Sequence, residues 1–146
     1  MEELAARAAI EQVLASYALG IDQRDYERVG ACFAEDAEAS YAGGEVRRGR
    51  KAITAWIEAN SAFAASTHLL ASPVIQLDGD RATTVTPAVA FLLREQDGEL
   101  RLHTRGLRYT DAFERGDGAW RIVRRVHEAL WEAIQPAERA PLPPPR

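Results

Sequence analysis

The 146 residues suffice for one domain with a buried core, and 47% hydrophobic and 27% charged side chains are ordinary proportions for a globular protein. A formal net charge of −4 argues against nucleic acid, which attracts a basic stripe, and the single Cys32 excludes a disulfide framework or a Cys-rich metal cluster. No apolar run approaches the roughly 20 residues needed to span a bilayer, and Met1–Glu2–Glu3–Leu4 lacks a signal-peptide start, so a cytoplasmic protein without a membrane partner is expected.

The chain opens with a helix. Ile10, Val13, Leu14, Tyr17, Ala18 and Ile21 follow the i, i+3, i+4, i+7 stripe of an amphipathic helix. Gly20 weakens its end, and Asp25 is placed to cap a second short helix over Tyr26 to Ala34. Ala37 to Tyr41 and Glu45 to Arg48 flank Gly43–Gly44 and predict a hairpin. A third helix, from Lys51 to Phe63, buries Ile53, Trp56 and Ile57. The second half reads as strand: Thr67 to Leu77, Arg81 to Arg94, Leu100 to Glu114 and Trp120 to Trp131. Turn signals at Asp78–Gly79–Asp80, Gln96–Asp97–Gly98 and Arg115–Gly116–Asp117–Gly118 separate them. Turn-linked long strands after a helical start predict an α+β domain over residues 1–133, with a curved sheet covered by helices on one face and an apolar pocket at its mouth. Residues 134–146 read as a Pro-rich C-terminal tail, either disordered or lying on a neighbouring subunit.

Asp22 is the informative residue of the first helix. It extends the row of Leu14 and Ala18 by i+4 steps, which turns a carboxylate toward the interior or the pocket mouth, where it can act as a base or orient a histidine. The plain alternative is a helix-end Asp bonded to local backbone. Tyr17 shares the stripe, and its phenol can either donate to a developing oxyanion or serve as core. His68 opens the first long strand and has the side chain best suited to proton transfer near neutral pH. His103 and His127 lie on later strands, and no metal-ligand spacing joins any of the three. Arg124 and Arg125 present a parity question. If Trp120 and Ile122 pack on the core, Arg125 faces the other side unless a bulge intervenes. Glycine-rich nucleotide motifs and a nucleophile elbow are absent, so no cofactor is expected.

Several segments together resemble the SnoaL-like branch of the NTF2-like superfamily. They are Tyr17-x-x-Gly20–Ile21–Asp22-x-Arg24–Asp25, Cys32–Phe33–Ala34–Glu35–Asp36–Ala37, Thr67–His68–Leu69, Val74–Ile75-x-Leu77–Asp78–Gly79–Asp80, and Tyr109-x-Asp111 leading to Asp117–Gly118-x-Trp120–Arg121–Ile122. The resemblance implies a cone whose curved, mixed but mostly antiparallel sheet wraps around the N-terminal helices. Within that branch the chain is similar to scytalone dehydratase, bile acid 7α-dehydratase and hexachlorocyclohexane dehydrochlorinase. It thereby implies a catalytic Asp22–His68 pair, with Tyr17 and Arg125 as further site residues and Trp56, Phe63, Leu70, Phe91 and Leu107 around an apolar substrate. A cofactor-free dehydratase, isomerase or cyclase acting on a cyclic small molecule follows, with a homodimer or trimer as its assembly. A non-catalytic hydrophobe-binding module and an oligomerising accessory domain are the competing implications. The second histidine that scytalone dehydratase carries on the next strand has no counterpart between Arg81 and Arg94.

Overall fold

The computed structural model describes residues 1–141; the proline run expected at the very end of the tail lies outside the described residues. Helix α1 (Glu2–Gln23) begins with Glu2 and Glu3, whose charges suit a helix N-terminus, and buries Ala6, Ile10, Leu14, Tyr17, Ala18 and Ile21 along one stripe. It runs straight through Gly20 and ends where Arg24 adopts a left-handed conformation, φ 58°. Gly20 marks a close approach, since a Cβ there would sit 2.8 Å from a Val29 methyl on the next helix. The Asp25 side chain accepts from the Arg28 amide at 3.0 Å and caps α2 (Tyr26–Ala31). That helix is shorter than expected because Phe33 already begins a strand, β1 (Phe33–Tyr41), whose inward positions include Phe33, Ala37, Ala39 and Tyr41. A loop and β2 (Arg47–Arg48) lead to α3 (Arg50–Asn60), which ends three residues before Phe63.

The expected strand from Thr67 to Leu77 is two strands, β3 (Ala65–Leu70) and β4 (Val74–Asp78). Both pair antiparallel with β5 (Arg81–Gln96), β4 along Arg81–Val85 and β3 along Ala88–Leu93. Between them lies Ala71–Ser72–Pro73, where proline cannot donate to the ladder. Strands β6 (Glu99–Gly116) and β7 (Ala119–Pro136) complete the meander. Its last two turns are two-residue Asp-Gly loops with both residues at positive φ, the geometry that matches strand twist. Strand β7 extends to Pro136, paired with Arg101, so the first residues assigned to the tail lie in the sheet.

The seven strands run β2-β1-β7-β6-β5-β3, with β4 also on β5, and only β1 with β7 is parallel. Helices α1 and α3 fill the concave face and bury Ile10, Phe33, Ile53, Phe113 and Ile122 almost completely. Each such side chain contributes about 1.5–3 kcal/mol by leaving water. No helix among the described residues is long and apolar enough to cross a membrane.

Strand β7 contains two irregularities that decide the site. Phe113 faces Ile122 but Ala112 faces Arg124, leaving Val123 as an extra residue; Gly106 faces Trp131 but Leu107 faces Ala129, leaving Leu130 as another. Each bulge reverses the alternation of side chains. Before the first, Trp120 and Ile122 point into the core; after it, Arg125 and His127 do. The parity question at Arg125 is answered by the bulge.

Candidate active site

The wide end of the cone holds a cavity of about 190 Å³. Its walls are built from Tyr17 and Ile21 of α1, Tyr41 of β1, Trp56 and Ile57 of α3, and inward residues of four strands. The strand contributions include His68 from β3, Ala90, Leu92 and Arg94 from β5, Arg105, Leu107 and Tyr109 from β6, and His127 from β7.

Asp22 sits in the last turn of α1, beside the start of β3. A carboxylate at a helix C-terminus meets the unfavourable end of the helix dipole. Three donors offset this: the Ser66 hydroxyl at 2.8 Å, the His68 backbone amide at 2.7 Å, and His68 Nδ1 at 2.6 Å. An ionised carboxylate only accepts, so the proton of the neutral ring resides on Nδ1 and Nε2 carries the lone pair. The His68 side chain is only 7% exposed, and it lines the cavity. Asp22 and His68, 46 residues apart in the chain, are therefore brought into contact.

The Tyr17 and Tyr41 hydroxyls lie 3.1 Å apart. One proton is used within the pair, which leaves the other for a ligand. Burial is the main reason that both phenols ionise less readily than an ordinary tyrosine, so both enter the cavity as neutral donors. Beneath them is Arg125. Its guanidinium lies 4.1 Å from the Tyr17 ring centre and 4.5 Å from that of Tyr109, and it forms a two-pronged bond to Asp111 with both distances 2.7 Å. Burial opposes the Arg125 charge, but the Asp111 carboxylate outweighs it and holds the proton more firmly than usual. Arg125 does not line the cavity, contrary to the role foreseen for it: its inward anion is Asp111, and Tyr17 and Tyr109 cover it.

The remaining pocket expectations divide. Trp56, Phe63 and Leu107 line the cavity. Phe91 does not, because strand alternation turns its neighbours Ala90 and Leu92 inward and Phe91 outward. Leu70 faces inward on β3 but lies toward the narrow end, in a separate depression with Leu14 and Thr86.

Among the site residues that went unassigned in the sequence, Tyr41, His127 and Arg94 matter most. Tyr41 had a visible signal, the alternation Ala37, Ala39, Tyr41 along β1. His127 had none, since a bulge rather than a pattern turns it inward. Its ring lies 5.2 Å from Tyr109 and 5.4 Å from Tyr41, and its Nδ1 has no hydrogen-bond partner. Burial, followed by the nearby Arg125 charge, lowers its pKa to about 4, so a second, neutral imidazole shares the cavity with His68. Arg94 reads in sequence as a strand-end charge, yet it lines the cavity rim.

A cone of this topology, with a buried histidine–carboxylate pair beside an internal cavity, is a small α+β fold of one recognisable class. The SnoaL-like domain model matches residues 2–126, and the chain belongs to that family. The Mycobacterium tuberculosis protein Rv2910c is 31% identical over 134 residues, covering 90% of each chain. A scytalone dehydratase-like protein of Novosphingobium aromaticivorans superposes with a TM-score of 0.82 at 24% identity, over 99% of this chain and 96% of its own. Hexachlorocyclohexane dehydrochlorinase LinA-type3 of Novosphingobium barchaimii LL02 gives 0.79 at 19% identity, over 97% of each chain. At these identities the two structures speak for the fold, which is the NTF2-like cone that the sequence implied.

Proposed function

We propose that the protein is a cofactor-independent acid–base enzyme, a lyase or isomerase acting on an apolar cyclic molecule. The observation that carries this reading is the 2.6 Å bond from His68 Nδ1 to Asp22, which leaves Nε2 as a proton acceptor beside an apolar cavity. In this scheme His68 removes a proton from carbon next to a carbonyl or a leaving group. Asp22 fixes the tautomer and stabilises the imidazolium that forms. The hydroxyl proton left over from the Tyr17–Tyr41 pair is donated to the oxygen on which charge develops. Arg125 then acts as a positioning residue, its charge stabilising negative charge on the phenol above it. A dehydratase-like and a dehydrochlorinase structure among those with the same fold support lyase chemistry.

The reading is tested with a panel of cyclic β-hydroxyketones and ketones incubated in D₂O, following loss of water and deuterium uptake by mass spectrometry. His68→Ala should lower turnover of the responsive compound by about 10²–10⁴-fold, and Asp22→Asn should lower it as well. Undiminished turnover in both variants would end the proposal. Recovery of a tightly bound hydrophobe, chemically unchanged after prolonged incubation, would favour a binding module instead.

Self-association belongs to the same proposal. It is supported by the outward face of the sheet, where Leu69, Val74, Val85 and Trp131 are all exposed.

A further inference from the structure

The rim of the cavity carries two guanidinium groups in different circumstances. Arg105 is neutralised: its Nε donates to Glu132 at 3.0 Å, and the same carboxylate oxygen bonds His103 Nδ1 at 2.8 Å. Arg94 lines the same rim from β5 and has no carboxylate within ion-pair distance among the described residues. Its Nε is buried and has no hydrogen-bond partner. Its guanidinium lies 4.6 Å from the centre of the Phe63 ring, and Arg24 fixes that residue by donating to the Phe63 carbonyl.

Stacking covers one face of a guanidinium but leaves the N–H groups at its edge, in the plane that matches a carboxylate. A buried N–H without an acceptor is costly unless something arrives to accept from it. Partial burial and then the nearby Arg105 disfavour the Arg94 charge, while Glu132 favours it, and an arriving anion would favour it further. Further in, Ile57, Leu92 and Leu107 offer only apolar contact. Burying a carboxylate among those three would be unfavourable, and Arg94 offers it an unpaired charge that the neutral Tyr17, Tyr41 and His127 do not.

We propose that the substrate is an amphipathic anion, whose apolar ring enters the cavity toward His68 and whose carboxylate stays at the rim on Arg94. This rests on the reading of the cavity as a substrate site and adds the class of molecule that it takes.

Binding can be measured without turnover, by titration calorimetry at pH 7.5 with 2-naphthoate and its near-isosteric neutral counterpart 2-naphthamide. Wild-type protein should bind the carboxylate about tenfold or more tightly than the amide. Arg94→Met, which keeps an apolar chain over Phe63, should abolish that ratio while leaving amide affinity unchanged. Equal affinities in the wild type, uptake of neither probe, or a ratio that survives Arg94→Met would overturn the proposal. Should Arg94→Met take up neither probe, Arg94→Lys decides: a restored preference for the anion upholds the assignment, and its absence overturns it. Because no chemistry is followed, an inactive His68 leaves this result unchanged, and loss of the anion preference leaves the acid–base reading standing.

Discussion

His127 occupies the cavity as a neutral ring, and the cause has a consequence for stability. The unfolded chain takes up this proton near pH 6.5, whereas the folded chain takes it up only near pH 4. Folding is therefore unopposed by this group above about pH 7, loses stability as pH falls from 6.5 to 4, and loses no more below that. Between pH 7 and pH 5 the loss amounts to at most about 2 kcal/mol. Urea denaturation of wild type and His127→Phe at both pH values isolates it, because other titrating groups are common to the two proteins. The variant should lose less stability than the wild type on acidification; identical losses would show that the ring is not held neutral. At this scale the sequence was informative about Asp22, whose i+4 relation to Leu14 and Ala18 marked a carboxylate on a packed face. His68 gained meaning only when a family pattern joined it to Asp22. Nothing local marked His127 or Arg94, because their importance comes from what stands opposite them.

Between elements, the contact of greatest consequence is Arg125 of β7 with Asp111 of β6. Both side chains are essentially unexposed, at 1% and 0%, and the fork geometry satisfies both carboxylate oxygens. Removing one partner strands a charge in the core. Asp111→Ala should cost about 3–5 kcal/mol in chemical denaturation, whereas the paired change Asp111→Leu with Arg125→Met should recover most of it. A single variant within about 1 kcal/mol of wild type would contradict this account. The pair also explains why β7 was only partly legible. Its Asp117–Gly118 turn was evident, but regular alternation cannot place Trp120, Ile122 and Arg125 on one face, so the facing of Arg125 stayed open. An extra residue at Val123 turns it inward, and no feature of Ile122–Val123–Arg124 announces a bulge. The division of β3 from β4 was likewise obscured by an apolar run, although Pro73 stood where the ladder breaks.

For the whole molecule, helices fill only the concave face of the sheet, and the opposite face carries an exposed apolar patch beside the Arg108–Glu128 ion pair. Trp131 lies across Gly106 there, so close that the indole leaves no room for a Cβ on Gly106. The sheet thus presents an exposed indole on the same face as Leu69 and Val85. If this surface mediates the proposed self-association, sedimentation velocity should find an oligomer for the wild type and a monomer for Trp131→Glu, with the far-ultraviolet circular dichroism unchanged. A monomeric wild type at micromolar concentration would remove the proposal. The architecture itself was readable from the order of helices, strands and Asp-Gly turns, since those signals are local and mutually consistent. The assembly and the ligand were not, because both depend on surfaces assembled from distant segments.

The two extra residues in β7 divide that strand into three successive reading frames. The first, through Trp120 and Ile122, serves the core; the second, through Arg125 and His127, serves the chamber; the third turns Trp131 to the outside. The frame depends on the bulge itself: were Val123 drawn into a regular ladder, Arg125 and His127 would swing out of the interior without altering their identity, whereas deleting Val123 would regularise the strand and keep both inside. Point changes remain confined to one frame, so the chemistry presented at position 127 can diverge while the core and the outer surface are left as they are.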